Sequence, residues 1–168
     1  MAGFIFTSIL GTLLHFLFDL TGGNWAAGLV SAVNESIWEH MKLIYVPMII
    51  FAGLEWKFAG KDIPGFWCVK LRGILLAQIL IPALYYIYTG VLGVSADWFN
   101  IAIFFIAAGA AYHCEAKAEG KFGLTGEKAA VAIILLIGLA FIALTFFPPR
   151  IPLFRDPITG TYGIRKRS

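Results

Sequence analysis

The chain has 168 residues, 60% of them hydrophobic and 14% charged, with a mean hydropathy of +0.82 and a net charge of +3. Soluble domains carry roughly 25% charged residues, so the composition excludes an ordinary soluble domain and indicates a single integral membrane unit. The basic residues gather in two loops and the tail, which suits topology and lipid headgroups and resembles no nucleic-acid module.

The first apolar run, Ala2–Leu20, has no basic region before it and reads as a retained span rather than a signal peptide. His15 and Asp19 lie four apart near its end and share a helix face. Thr21, Gly22, Gly23 and Asn24 then break the helix. Residues 25–33 are apolar but give only about 13 Å of helix, at 1.5 Å per residue. They are expected to form an interfacial or re-entrant half-helix, packed closely through Ala26, Ala27, Gly28, Ser31 and Ala32.

The stretch Asn34-Glu35-Ser36-Ile37-Trp38-Glu39-His40-Met41-Lys42 holds two carboxylates, a histidine and a lysine. The apolar run behind it, residues 43–56, is too short to cross a bilayer, which takes close to 20 residues. The second span must therefore start near Ser36, and it carries Glu39 and His40 in its first turn. Ser36 and Glu39 match a capping box. Pro47 is expected to kink the span and free the Leu43 carbonyl.

Residues 57–70 read as a polar loop. A third span covers residues 71–92, interrupted by Gln78 and Pro82, with Tyr85, Tyr86 and Tyr88 as an aromatic belt at its end. Residues 90–97 form a turn. A fourth span covers residues 98–113, and its Ala and Gly residues at 107–111 offer a close-packing face within one chain or across a homodimer. Residues 114–128 form a second charged loop, and a fifth span covers residues 129–147. The expected architecture is all-α: an integral membrane bundle of five spans, residues 1–147, plus the half-helix. A tail, residues 148–168, folds back over the polar face.

Five spans put the termini on opposite sides. One side holds Lys57, Lys61, Lys70, Arg72, Lys117, Lys121 and Lys128, and the excess of positive charge makes that side, with the N-terminus, cytoplasmic. Cys68 and Cys114 fall there too and form no CxxC pair, as suits free thiols in a reducing compartment. The basic tail residues Arg150, Arg155, Arg165, Lys166 and Arg167 run against this assignment. In either orientation His15, Asp19, Glu35, Glu39, His40, Lys42, Tyr88, Arg155 and Asp156 meet on one side, and His113 lies on the other.

Residues 14–16 (Leu-His-Phe) and 31–43, with the string NESxWEH, resemble the signature of a family of small bacterial multi-span membrane proteins of unknown function. The tail, with Pro152-Leu153-Phe154, Asp156-Pro157, Thr159-Gly160 and Tyr162-Gly163, is similar to that family's ending, and residues 88–93 to its middle. The resemblance implies a multi-pass protein of the bacterial cell membrane and implies no activity or cofactor.

The polar residues themselves support several readings. A histidine from each of two spans with a carboxylate makes a catalytic zinc-like set. His15, Asp19, Glu39 and His40 are the candidate ligands of a divalent metal such as zinc, and Glu35, Glu39 and His40 the candidate acid–base groups. Asn34, Lys42, Tyr88, Arg155 and Asp156 are candidate binding residues. Several also have a purely structural use: Glu39 as capping acid paired to Lys42, Asp19 at a helix end, His15 bonded to a neighbouring helix. The leading expectation is an enzyme acting on a lipid or other amphiphile. The alternatives are a small-solute or ion binding or transport protein and a structural subunit of a membrane complex.

Overall fold

A computed structural model describes residues 1–118 and 126–164. Among them the fold is all-helical. Five helices are long and apolar enough to cross a membrane: α1 (Ala2–Leu20), α3 (Ile37–Phe58), α4 (Phe66–Leu92), α5 (Asp97–Ala118) and α6 (Glu127–Phe146). A single turn, α2 (Trp25–Gly28), lies between α1 and α3. Residues 119–125 of the second charged loop, with Lys121, and Arg165, Lys166 and Arg167 of the tail lie outside the described residues.

The spans alternate in direction. Trp67 at the start of α4 donates its amide to Glu127 at the start of α6, and Glu39 at the start of α3 meets Thr145 at the end of α6. The start of α1, the end of α3, the start of α4 and the end of α5 thus share one end of the bundle. The end of α1, α2, the start of α3, the end of α4, the start of α5 and the tail share the other. Outward faces are apolar: Ile5, Ile9, Leu13, Phe16 and Leu20 form a stripe at helical spacing along α1, exposed on the isolated chain.

The helix α3 is the centre of the bundle. It touches every other long helix, and 56% of its most apolar stretch is buried, against at most 28% in the others. Pro47 inside it deprives the Leu43 carbonyl of its amide partner. Gly11 of α1 packs on that oxygen, where a Cβ would stand only 2.8 Å away. This contact draws α1 against α3. Helices α4 and α5 pack through Ala77, Ala107, Ala108 and Ala111, all fully buried.

Three boundaries differ from the sequence reading. The half-helix is one turn long rather than residues 25–33. Asn24 caps its start by accepting from the Ala26 amide at 2.8 Å. Beyond Gly28 it does not propagate, because the Gly28 carbonyl accepts from the Lys42 ammonium at 2.8 Å. The helix α4 begins at Phe66 instead of residue 71, after Gly65 in the left-handed region at φ 77°. Lys70 is therefore helical and buried rather than part of a loop. The helix α5 runs to Ala118, which takes Cys114 and Lys117 out of the expected loop.

The tail crosses the polar end as a 3-10 turn (Pro152–Phe154) followed by a hairpin-like bridge between Arg155 and Tyr162. Phe154 is buried against Trp38, with ring centroids 4.7 Å apart, and Trp38 rests on Phe141 at 4.5 Å. The Asn34 side-chain amide donates to the Gly163 carbonyl at 2.9 Å.

Candidate functional site

The site begins with the connection into α3. Asn34 Oδ1 accepts from the Ser36 amide at 2.9 Å, a turn that stops any earlier start of the helix. Ser36 is the N-cap, its hydroxyl accepting from the Glu39 amide at 3.4 Å. The reciprocal half of a capping box is absent, because Asn34 has taken the Ser36 amide and Glu39 turns to the Val33 amide at 3.2 Å. Glu35 therefore lies outside the helix. Its carboxylate projects towards α1 instead of lying one turn above Glu39.

There it meets two histidines. Glu35 Oε1 is 3.9 Å from His15 Nε2, and Glu35 Oε2 is 3.6 Å from His40 Nε2. The two imidazole centroids are 5.5 Å apart. His40 Nδ1 lies 2.9 Å from the Ser36 carbonyl. A carbonyl only accepts, so in the neutral ring Nδ1 carries the proton and Nε2 presents its lone pair to Glu35 and His15. His15 reaches this place because Gly11, one turn earlier on the same face, lets α1 close on α3.

These separations are too long for hydrogen bonds. They suit a shared ion better. One ligand atom from each of His15, Glu35 and His40 falls within 4.8 Å of the other two. Zinc bonds of about 2 Å need ligand atoms within about 4 Å of one another. The trio is thus somewhat wider than a zinc-ligand set.

A groove of about 520 Å³ opens beside the trio, between α1 and α5. His15, Glu35 and His40 line it with Asp97 and Asn100, and apolar walls come from Phe16, Ile101 and Phe105. Phe16 and Ile101 are exposed, so the groove faces the surroundings of the bundle sideways. A second space of about 200 Å³ lies further in, between α3, α4, α5 and the tail, and shares Glu35, His40, Asp97 and Asn100 with the first.

Other residues singled out in the sequence are placed differently. Glu39 was expected among the ligands and acid–base groups. Its carboxylate, 2% exposed, is instead held by Lys42 at 2.6 Å, the Thr145 hydroxyl at 2.8 Å and the Val33 amide. A buried carboxylate needs every donor it can reach, and these three, none of them a histidine, are its partners. Lys42 is sealed in with it, donating also to the Gly28 carbonyl and to Thr145 at 3.0 Å, which leaves nothing for a ligand. Asp19 is exposed at the end of α1 and stands outside the trio.

Tyr88 is buried and donates to Asn100 Oδ1. It lies 3.1 Å from Ser95 Oγ and accepts from the Ala96 amide at 3.3 Å, which ties α4 to the start of α5. Asp156 Oδ1 accepts from the amides of Ile158 at 2.8 Å and Thr159 at 3.1 Å. It shapes the turn that sets Pro157 and Ile158 against the site. Arg155 is exposed beside Gly160. The sequence reading missed Asp97, Asn100 and Ser95, all within or beside a segment taken for a plain turn. Their place at the same bundle end as His40 was the available signal.

The opposite end holds another polar cluster that sequence reading missed. Lys70 Nζ lies 2.5 Å from Glu55 Oε2 and 2.7 Å from Glu115 Oε2, which links α3, α4 and α5.

No curated protein and no solved structure matches the chain. The profile of a family of unknown function, DUF6512, matches residues 1–164, and the chain belongs to that family.

Proposed function

We propose that the protein is a membrane-embedded, metal-dependent enzyme acting on a lipid or other amphiphile, with His15, Glu35 and His40 holding a divalent ion such as zinc. The observation that carries this reading is the convergence of those ligand atoms, from two helices and a tightly turned connection, at the edge of a sideways-facing groove. The Ser36 carbonyl behind His40 supplies the outer-shell support usual at metal sites. Such an ion, when bound, acts as a Lewis acid and lowers the pKa of a bound water. The chain's own part is to fix the ligands, admit an apolar tail between α1 and α5, and cover the polar head with Pro157 and Ile158. A transport reading has less support, since Ile74, Ala77, Ala107, Ala108 and Ala111 fill the middle of the bundle at full burial.

Lys57, Lys61, Arg72, Lys117 and Lys128 sit at the end away from the trio, so the site faces the non-cytoplasmic side under the positive-inside rule. Single cysteines at Lys61 and Ile158 should label from the inside and the outside, respectively.

The test of function is metal content. Detergent-purified protein exposed to zinc, then washed, is expected to keep about one ion per chain in elemental analysis, given one three-ligand site. His15→Ala and Glu35→Gln should lose it while folding normally. Equal zinc in wild type and both variants, or none in wild type, would overturn the metal reading.

A further inference from the structure

The amphiphile itself has a readable shape and charge. Resting on the metal reading of the same site, we infer that its ligand is a single-chain amphiphile with a small, uncharged, hydroxyl-bearing head. The head lies in the inner space and the chain in the groove.

The two spaces adjoin, with Glu35 and His40 among the residues that line both. The groove runs along the apolar side chains of α1 and α5, and its volume of about 520 Å³ suits one acyl chain. The inner space, about 200 Å³, is smaller than the roughly 300–1,000 Å³ of ordinary ligand pockets. Tyr85 brings a hydroxyl to it, and Ser95 and Asn100, bonded to Tyr88 and to each other, keep an amide hydrogen and oxygen lone pairs for a hydroxylated head.

Charge narrows the choice. Glu35 and Asp97 border both spaces, and among the described residues no lysine or arginine lines either one. The nearest buried cation, Lys42, is fully committed to Glu39, Thr145 and Gly28. Phosphate recognition ordinarily relies on arginine or lysine donors. Among the described residues a phosphate-bearing head would meet only the ion, already offset by Glu35, and the repelling Asp97 carboxylate.

The experiment uses zinc-loaded protein in phosphatidylcholine nanodiscs, with displacement of a fluorescent single-chain probe as readout. Monopalmitoylglycerol is expected to displace the probe at least about tenfold better than palmitoyl lysophosphatidylglycerol, a difference near 1.4 kcal/mol. Thr12→Trp, an exposed position on the groove wall, should weaken both competitors and leave zinc bound. Asp97→Lys should reverse the preference. Equal or stronger competition by the phosphate-headed lipid in wild type overturns the inference even if zinc binds. The predicted preference in a protein that takes up no zinc would instead sustain the ligand class and remove the metal.

Discussion

The Glu39 carboxylate and the Lys42 ammonium meet at 2.6 Å, one turn apart in α3, with side chains only 2% and 0% exposed. Around this pair the Gly28 carbonyl, the Val33 amide and the Thr145 hydroxyl complete the hydrogen bonding. The pair therefore pins α2, the connection into α3 and the end of α6 to one point. A buried pair of this kind brings little net stability compared with apolar residues, but breaking it is costly, because the surviving charge stays buried.

Glu39→Gln should therefore destabilise the fold by about 3–5 kcal/mol, the cost of an uncompensated buried charge. Adding Lys42→Met should recover much of the loss. Thermal unfolding in detergent reads both effects. Zinc bound per folded chain should stay at the wild-type value in the double variant. Normal stability with zinc lost in Glu39→Gln alone would return Glu39 to the metal site.

Much of the fold was legible because it depends on local pattern. The helix α1 has the bounds that its apolar run and the Thr21-Gly22-Gly23 break indicate. What stayed hidden depends on partners distant in sequence. Lys70 read as a loop residue, since the two carboxylates that neutralise it come from other helices. The half-helix was drawn too long, since Lys42, beyond the next turn, takes the Gly28 carbonyl. Glu35 and Glu39 are four apart and would share a helix face only if the helix included both. Asn34 and Ser36 start it between them, so Glu35 goes to the histidines and Glu39 to Lys42. Spacing drew attention to the segment and could not divide the partners within it.

Gly11 offers a test of how α1 carries His15. A Cβ there would stand 2.6 Å from the Phe104 ring and 2.8 Å from the Leu43 carbonyl oxygen. The backbone atom cannot yield as a flexible side chain would, so α1 must move. Gly11→Ala should cost about 1–3 kcal/mol, as overpacking does. It should also widen the 5.5 Å spacing of the His15 and His40 rings. Zinc affinity by competition with a chelator should fall about 10-fold or more, comparable to losing an outer-shell partner. Unchanged zinc affinity would mean that His15 does not hold the ion.

The tail should open as a unit. Its anchor is Phe154, buried on Trp38, and truncating such a ring costs about 3–5 kcal/mol. That is more than a short docked segment can lose and remain closed, whereas the helices do not depend on it. In Phe154→Ala, hydrogen exchange at the Asp156 and Gly160 amides should rise sharply. Both are bonded within the tail, to the Thr161 and Asp156 carbonyls, at 2.9 Å. Exchange in α3 should not change. Slow exchange retained at both tail amides would show that the Asn34 bond to Gly163 suffices to hold the tail.

A second buried ion cluster lies at the end of the bundle away from the histidines. Lys70 serves two carboxylates at once, Glu55 at 2.5 Å and Glu115 at 2.7 Å, and Glu115 is packed so closely on Gly73 that a Cβ there would stand 2.3 Å from its oxygen. Glu115 has no room to turn to solvent if its partner is removed. Lys70→Met should thus leave two facing carboxylates and cost about 3–5 kcal/mol, as for other broken buried pairs. Glu55 is partly exposed and can swing into water, so Glu55→Gln should cost far less. Lys70→Met with Glu115→Gln replaces the buried charges by neutral groups and should recover most of the loss. Unfolding midpoints order the variants. Zinc content should be the same in all that fold, because the cluster joins α3, α4 and α5 at the opposite end from the trio. A drop in zinc with Lys70→Met alone, at a temperature where the protein remains folded, would show that the two ends are coupled through α3.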